Sequence, residues 1–220
     1  MTDRKVVVPG ETIVSGEDYL PGDSTRRDGD DIVAGKFGLA DISDKLVRVI
    51  PLSGVYQPRR GNVIIAQVTD ITFNGWLMDY GGASSSFLSI MECPMFINKD
   101  ELQDTFDFGD MVVAKVTNVK PKGIDLTVKM RGLGKLEKGM IIKINPNKVP
   151  RVIGKEGSMV SLVKDAVNCN ITVGQNGIIW LRGETIEAEL KAKKIIEFIA
   201  ENSSTEGLTD KVKEFIGGLK

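Results

Sequence analysis

The chain has 220 residues, 41% hydrophobic and 27% charged, with a net charge of −1 and a pI near 5.7. That balance suits globular domains, holds no run of about 18 apolar residues able to span a bilayer as a helix, and lacks the overall basic excess of a free-standing, tight nucleic-acid binder. Cys93 and Cys169 lie far apart and histidine is absent, which excludes zinc sites built from Cys and His and makes a disulfide framework unexpected.

In chain order, Met1-Thr2-Asp3-Arg4-Lys5 leads into no signal-peptide core, so a soluble, cytoplasmic protein is expected. Residues 1–57 read as a small β module of hairpins. Val6-Val7-Val8, Thr12-Ile13-Val14, Ile32 to Ala34, Gly38 to Ile42 and Val47 to Leu52 are its strands, punctuated by Pro9-Gly10, Pro21-Gly22 and an acidic loop from Asp28 to Asp31. Alone such a module buries little, which points to docking on another protein. Residues 1–31 hold eight acids and four bases, whereas 115–138 carry a balance of +5 and 143–164 one of +4. This segregation predicts a basic face in the second half and a different task for the first.

Residues 58–132 read as short strands: Val63 to Val68, Trp76 to Tyr80, Ser84 to Leu88, Met111 to Val119, and the alternating Ile124, Leu126, Val128. Five strands with one longer excursion over 89–109 suit a five-stranded OB barrel. Val68, Ile71, Gly75, Asp79 and Gly82 are spaced as in the RNA-binding OB domain first named from ribosomal protein S-one, and the segment resembles that family. The resemblance implies binding of single strands by base stacking beside a basic groove. It departs from the family at Asn74-Gly75-Trp76-Leu77 and in having no histidine. Stacking would then rest on Phe73, Trp76, Tyr80 or Phe87, some of which must fill the barrel. Charge would come from Arg59, Arg60, Lys120, Lys122 and Arg131, giving sequence-tolerant, salt-sensitive binding. The carboxylates Asp100, Glu101, Asp104, Asp107 and Asp110 have no EF-hand spacing and read as a solvated loop, with no metal and no cofactor expected.

Residues 137–202 begin with a strand marked by Met140, Ile142 and Ile144. Pro150 suits the first turn of a helix and Gly154 its end. After Gly157 a new apolar period runs through Met159, Val160, Leu162, Val163, Ala166 and Val167. Cys169 to Val173 and Gly177 to Arg182 are strands joined at Gln175-Asn176-Gly177, and Ile186, Leu190, Ile195 and Ile199 mark a long helix. This order, with Ile153-Gly154-Lys155-Glu156-Gly157 between the first two helices, resembles a type I KH domain. In that family the Gly-x-x-Gly turn brings bare backbone amides against a nucleic-acid backbone. By that resemblance Gly154 and Gly157 keep side chains out of the way while Arg151 and Lys155 supply charge. Residues 203–220 carry Val212, Phe215, Ile216 and Leu219 at helical spacing, either a short docking helix or a tail.

The fold class expected is therefore multidomain β and α+β: an N-terminal β module, an S-one-type OB barrel and a type I KH domain. That order is similar to the RNA-binding cap subunits of the archaeal RNA exosome, carried also by Val7-Val8-Pro9-Gly10-Glu11 and by Val149 through Met159. The resemblance implies a non-catalytic subunit that recruits single-stranded RNA, favours adenine-rich strands, and feeds an RNase PH-like hexameric ring for 3′-to-5′ degradation. It implies a three-membered cap shared with copies of itself or with a zinc-ribbon cap protein, whose cysteines are missing here. Two other readings compete. A transcription termination factor with S-one and KH domains predicts a second Gly-x-x-Gly after residue 200, which the sequence lacks. A phosphorolytic exoribonuclease needs large catalytic domains that 57 residues cannot house.

Overall fold

The computed structural model describes residues 5–98, 101–203, 205 and 207–218. The chain divides after Gly54 into two compact units. The first contains seven strands: β1 (Lys5–Val7), β2 (Thr12–Ser15), β3 (Leu20–Pro21), β4 (Thr25–Asp28), β5 (Asp31–Ala34), β6 (Gly38–Ser43) and β7 (Leu46–Pro51). They form a four-stranded sheet in the order β1-β6-β7-β3 and a three-stranded sheet in the order β2-β5-β4. The short β3 and β4 are not evident from hydrophobic pattern; β4 is Thr-Arg-Arg-Asp, held by its hairpin with β5. Along β7, Val47 and Val49 turn inward while Leu46, Arg48 and Ile50 face out, as the two-residue period requires. The core is small: Val7, Ala34, Ala40 and Val49, with Ile13 against them.

The second unit opens with the barrel strands β8 (Val63–Thr72), β9 (Gly75–Asp79), β10 (Ser85–Ser89), β11 (Met111–Lys120) and β12 (Gly123–Thr127). The ring β8-β9-β10-β12-β11 closes because β11 pairs with both β12 and β8, and β10 with β12 is the one parallel pair in it. This is an OB-type barrel. Ile64, Val68, Trp76, Met78, Leu88, Val112, Val116, Ile124 and Leu126 fill it. The excursion between β10 and β11 includes α1 (Leu102–Thr105), whose Leu102 and the following Phe106 are buried in the same core. Its carboxylates organise the loop: Asp110 accepts from the Asp107 amide and pairs with Lys135 at 2.5 Å, and Glu101 accepts from Asn98. Asp100 lies outside the described residues. The short β13 (Gly134–Lys135) adds to the edge of β11.

After it come β14 (Met140–Lys143), α2 (Val149–Ile153), α3 (Ser158–Val167), β15 (Cys169–Val173), β16 (Ile178–Gly183), α4 (Ile186–Glu201) and α5 (Leu208–Gly218). The sheet order β14-β16-β15 with α2, α3 and α4 on one face is a KH α+β arrangement. The helix periods hold with local exceptions: Ala166 is exposed, and so are Ile186 and Leu190 in the first turns of α4. α5 is a helix packed on the KH core through Leu208 and Val212, with Phe215 stacked on Phe198 at 4.2 Å. Leu219 lies outside the described residues.

Barrel and KH domain share one unit, joined where β8 lacks a neighbour. Pairing of β8 with β9 begins only at Gln67, so the backbone groups of 63–65 on that side need other partners. The turn between β15 and β16 supplies them. Gln175 N–H donates to Val63 O at 2.8 Å, and its side-chain oxygen accepts from Val63 N–H at 2.9 Å. Buried Asn176 accepts from Ile65 N–H and donates through Nδ2 to Ile65 O and Tyr80 O, both at 2.8 Å. Ile178 and Trp180 pack with Ile65 and Val113 around this joint.

Candidate nucleic-acid interface

The outer surface of the barrel is set by strand register. Trp76 and Met78 of β9 point into the core, which turns Leu77 outward; Leu77 stands opposite Phe87 of β10. Phe87 in turn stands opposite Asp125 of β12, and Asp125 opposite Asn118 of β11. One transverse row, Leu77–Phe87–Asp125–Asn118, thus crosses four strands on the outer face. A neighbouring row on the same face carries Ser85, Gly123 and Lys120. Phe87 is half-buried, with its ring over Gly75: a Cβ there would stand 2.9 Å from the ring tip and 2.1 Å from Leu88 O, so only glycine leaves this room. Gly75 closes the turn that carries Phe73, which is 75% exposed. Of the expected stacking aromatics, Phe73 and Phe87 are thus the two with rings open to solvent.

Trp76 is a correction to the expected stacking set. It is fully buried, its Nε1 donates to Leu102 O and Phe106 O at 3.2 and 3.0 Å, and its ring meets Phe106 edge-on at 5.0 Å. A ring sealed in this way fills the barrel and cannot receive a base. Tyr80 is likewise interior, its hydroxyl 2.7 Å from Ser84 Oγ and its ring edge-on to Tyr56. Burial raises the Tyr56 phenol pKa. It also pushes the Cys93 thiol up to about 11, with Glu92 adding to the shift, and raises the Cys169 thiol, which marks both cysteines as packing groups.

The cations fall into three places. Lys120 and Lys122 stand at the β11–β12 hairpin tip and are exposed, with Lys122 O accepting from Ser85 Oγ. Arg59 and Arg60 precede the segment that continues β8 along β11, where Gly61 N–H donates to Val116 O and Val116 N–H to Asn62 O. These four therefore share the hairpin-tip end of the barrel. Arg131 lies apart, in the loop leading into β13 beside Val112 and Val113 at the start of β11. The third place is the KH turn. Arg151 and Lys155 are exposed, and Glu156, also exposed, holds a left-handed backbone at φ 54°. Gly154 caps α2 at φ 75°; a Cβ on it would sit 2.7 Å from both N and Cβ of Met159. Its glycine is thus required by packing inside the domain, apart from any ligand. Gly157, at φ 82°, has room for a Cβ, which would meet only Val160 Cγ1 at 4.0 Å, so its left-handed backbone rather than packing favours glycine there.

Sequence reasoning missed Leu77 and Asp125. The strict alternation Trp76–Leu77–Met78 would have exposed Leu77 once Trp76 was assigned inward, whereas Asp125 needed the parallel pairing of β10 with β12. The docking role of Asn176 had a weaker signal, an amide side chain inside the glycine-flanked turn Gly174-Gln175-Asn176-Gly177.

Residues 139–187 match the family model for a KH domain. The exosome complex component Rrp4 of Methanothermus fervidus is 39% identical over 215 residues, covering 97% of this chain and 96% of that protein. That of Methanothermobacter thermautotrophicus is 38% identical over 222 residues, 100% of this chain and 70% of that one. A crystal structure described as an exosome complex RNA-binding protein matches with a TM-score of 0.67 and 32% identity, covering 76% of this chain and 97% of that one. Full-length similarity of this degree, on a chain that carries an OB-type barrel and a KH domain, places it in the Rrp4 family of exosome complex components.

Proposed function

We propose that this chain is a non-catalytic, RNA-binding component of an exosome, which recruits single-stranded RNA and delivers it to an RNase PH-like hexameric ring for 3′-to-5′ degradation. The observation that carries the reading is the outer barrel face: Phe87 and Leu77 in register, Phe73 exposed on the turn that leads into β9, and Lys120, Lys122, Arg59 and Arg60 grouped at one end. Aromatics beside cations match what single strands require, faces for bases and positive charge for phosphates. Arg151, Lys155 and the amides of the Gly154–Gly157 turn form a second, smaller contact for the same strand. Family membership supports an exosome as the setting, and a three-membered cap with copies of itself or a zinc-ribbon relative is the assembly we favour. Preference for adenine-rich strands belongs to this proposal as well.

The first unit is the docking element. On its four-stranded sheet Val6 stands opposite Leu39 and Leu39 opposite Ile50, and Leu20 stands opposite Leu46. Val6, Ile50, Leu20 and Leu46 are exposed, an apolar face of the kind that marks protein contacts. Asp41, 4% exposed, takes the Arg48 guanidinium at 2.7 Å between the two apolar rows. Measuring RNA binding by the assembled complex tests the proposal. Replacing Arg59, Arg60, Lys120 and Lys122 together by Glu is expected to weaken binding at least about tenfold near 0.15 M salt, since each lost phosphate contact lowers affinity. Unchanged binding with intact assembly removes the barrel from the function.

A further inference from the structure

We propose that Asp125 is an internal competitor for the RNA backbone: its carboxylate clasps Lys120 on the outer face of the barrel and holds that cation in reserve until a phosphate displaces it. This rests on the reading of that face as the RNA site. Lys120 Nζ lies 2.6 Å from Asp125 Oδ2. The contact follows from register. Asp125 stands opposite Asn118, and Lys120, two residues further along β11, projects from the same face and reaches the carboxylate diagonally. The register shift between Val116 and Asn118 fixes which side chains share that face. Asp125 also stands directly beside Phe87 across the parallel β10–β12 pair, so the clasp sits next to the aromatic surface a base would occupy.

Both partners remain accessible, the lysine side chain at 56% and the carboxylate at 33%. An exposed pair of this kind is worth little and opens readily. A phosphate arriving next to a base on Phe87 can therefore take the ammonium group and leave Asp125 to solvent. Until then the carboxylate cancels the charge of Lys120 and repels phosphates close to Phe87. Lys120 contributes less to loose, non-stacked binding than its position suggests. Binding by charge alone meets the clasp closed, whereas a strand stacked on Phe87 is positioned to open it. The side chain of Asp125 accepts from nothing else among the hydrogen bonds of the described face, while its backbone carbonyl takes Thr117 Oγ1 at 3.0 Å, a bond that side-chain substitution leaves in place.

The experiment is fluorescence anisotropy of the full chain with a labelled oligoadenylate of about 12 nucleotides, a length matched to one OB site, over a salt series. Asp125→Asn is expected to tighten binding about threefold near 0.1 M salt while leaving the slope of log affinity against log salt unchanged, because the bound strand makes the same Lys120–phosphate contact in both chains. Asp125→Ser, checked for an unchanged melting temperature, should do the same. In a Lys120→Gln background Asp125→Asn should tighten binding clearly less, because only the relief of charge repulsion remains once the cation is gone. Parent-like affinity for both Asp125 variants overturns the clasp, and so does a slope steeper by about 0.7, which would mean that the parent never releases Lys120 to a phosphate. So does a gain that survives Lys120→Gln undiminished, since Asp125 would then act by general repulsion alone. A parent chain that ignores oligoadenylate, with Phe87→Ala equally silent, overturns the reading of the face and the clasp with it.

Discussion

Asn176 shows how one side chain joins two folds. A single amide supplies an acceptor to Ile65 N–H and donors to Ile65 O and Tyr80 O, all at a buried joint. A carboxylate in its place would keep the shape and the acceptor but lose both donors, and would bury a charge facing two carbonyls. Asn176→Asp is therefore expected to cost about 3 kcal/mol in urea-induced unfolding; a loss below about 1 kcal/mol would show that the joint is not made by these bonds. Cys93 illustrates burial acting on titration. Its thiol is raised to about 11 in the folded chain from an ordinary value of 9.0, so between those values the unfolded chain releases the proton first and folded stability falls as pH rises. Below pH 9 the native thiol is protonated and enclosed. Iodoacetamide at about pH 8 should leave Cys93 unmodified in the native chain and label it rapidly in urea; rapid native labelling contradicts the packing.

Among the elements, the β15–β16 hairpin and α5 each do something that their own sequence states poorly. The hairpin is legible as strands about a Gly–Asn–Gly turn, yet its docking onto β8 follows from the barrel leaving residues 63–65 unpaired toward β9. The glycine-flanked amides Gln175 and Asn176 give only a faint local sign of that need. α5 has the apolar spacing of Val212, Phe215 and Ile216, which fits a helix or a frayed end equally; contact with α4 decides for the helix. Val212 is fully buried in the KH core. Val212→Asp should lower stability by about 3 kcal/mol or more, read as an earlier denaturation midpoint with a two-state transition retained. A surface-like effect, within about 0.5 kcal/mol, would mean that α5 is detached in solution.

For the whole molecule, the two units differ in surface chemistry. The first exposes the apolar rows of its four-stranded sheet and carries the acidic start of the chain, while the second carries the basic hairpin tip and the KH turn. Deleting residues 1–54 is expected to abolish co-purification with the proposed RNase PH-like ring while leaving the barrel and KH unit folded, as judged by circular dichroism and thermal melting. A truncated chain that still assembles would move docking to the second unit. Within the described residues, no helix is long and apolar enough to cross a membrane.

Much of this architecture is written along the chain because it follows from local periodicity. Two-residue alternation marks β7, β9 and β12, 3.6-residue spacing marks α3 and most of α4, and glycines mark the turns, since each depends on neighbours only a few positions away. The cationic positions at Lys120, Lys122, Arg59 and Arg60 were legible for the same reason, as charged residues beside turns. What tertiary structure decided is which side of each strand faces outward and what lies across from it. Closure of the barrel put Trp76 inside, left Phe87 in a row with Leu77 and Asp125, and brought Lys120 within reach of a carboxylate. Those outcomes depend on pairings between residues remote in sequence, β10 with β12 above all, and such pairings are fixed by closing a common core, which no short window of sequence contains.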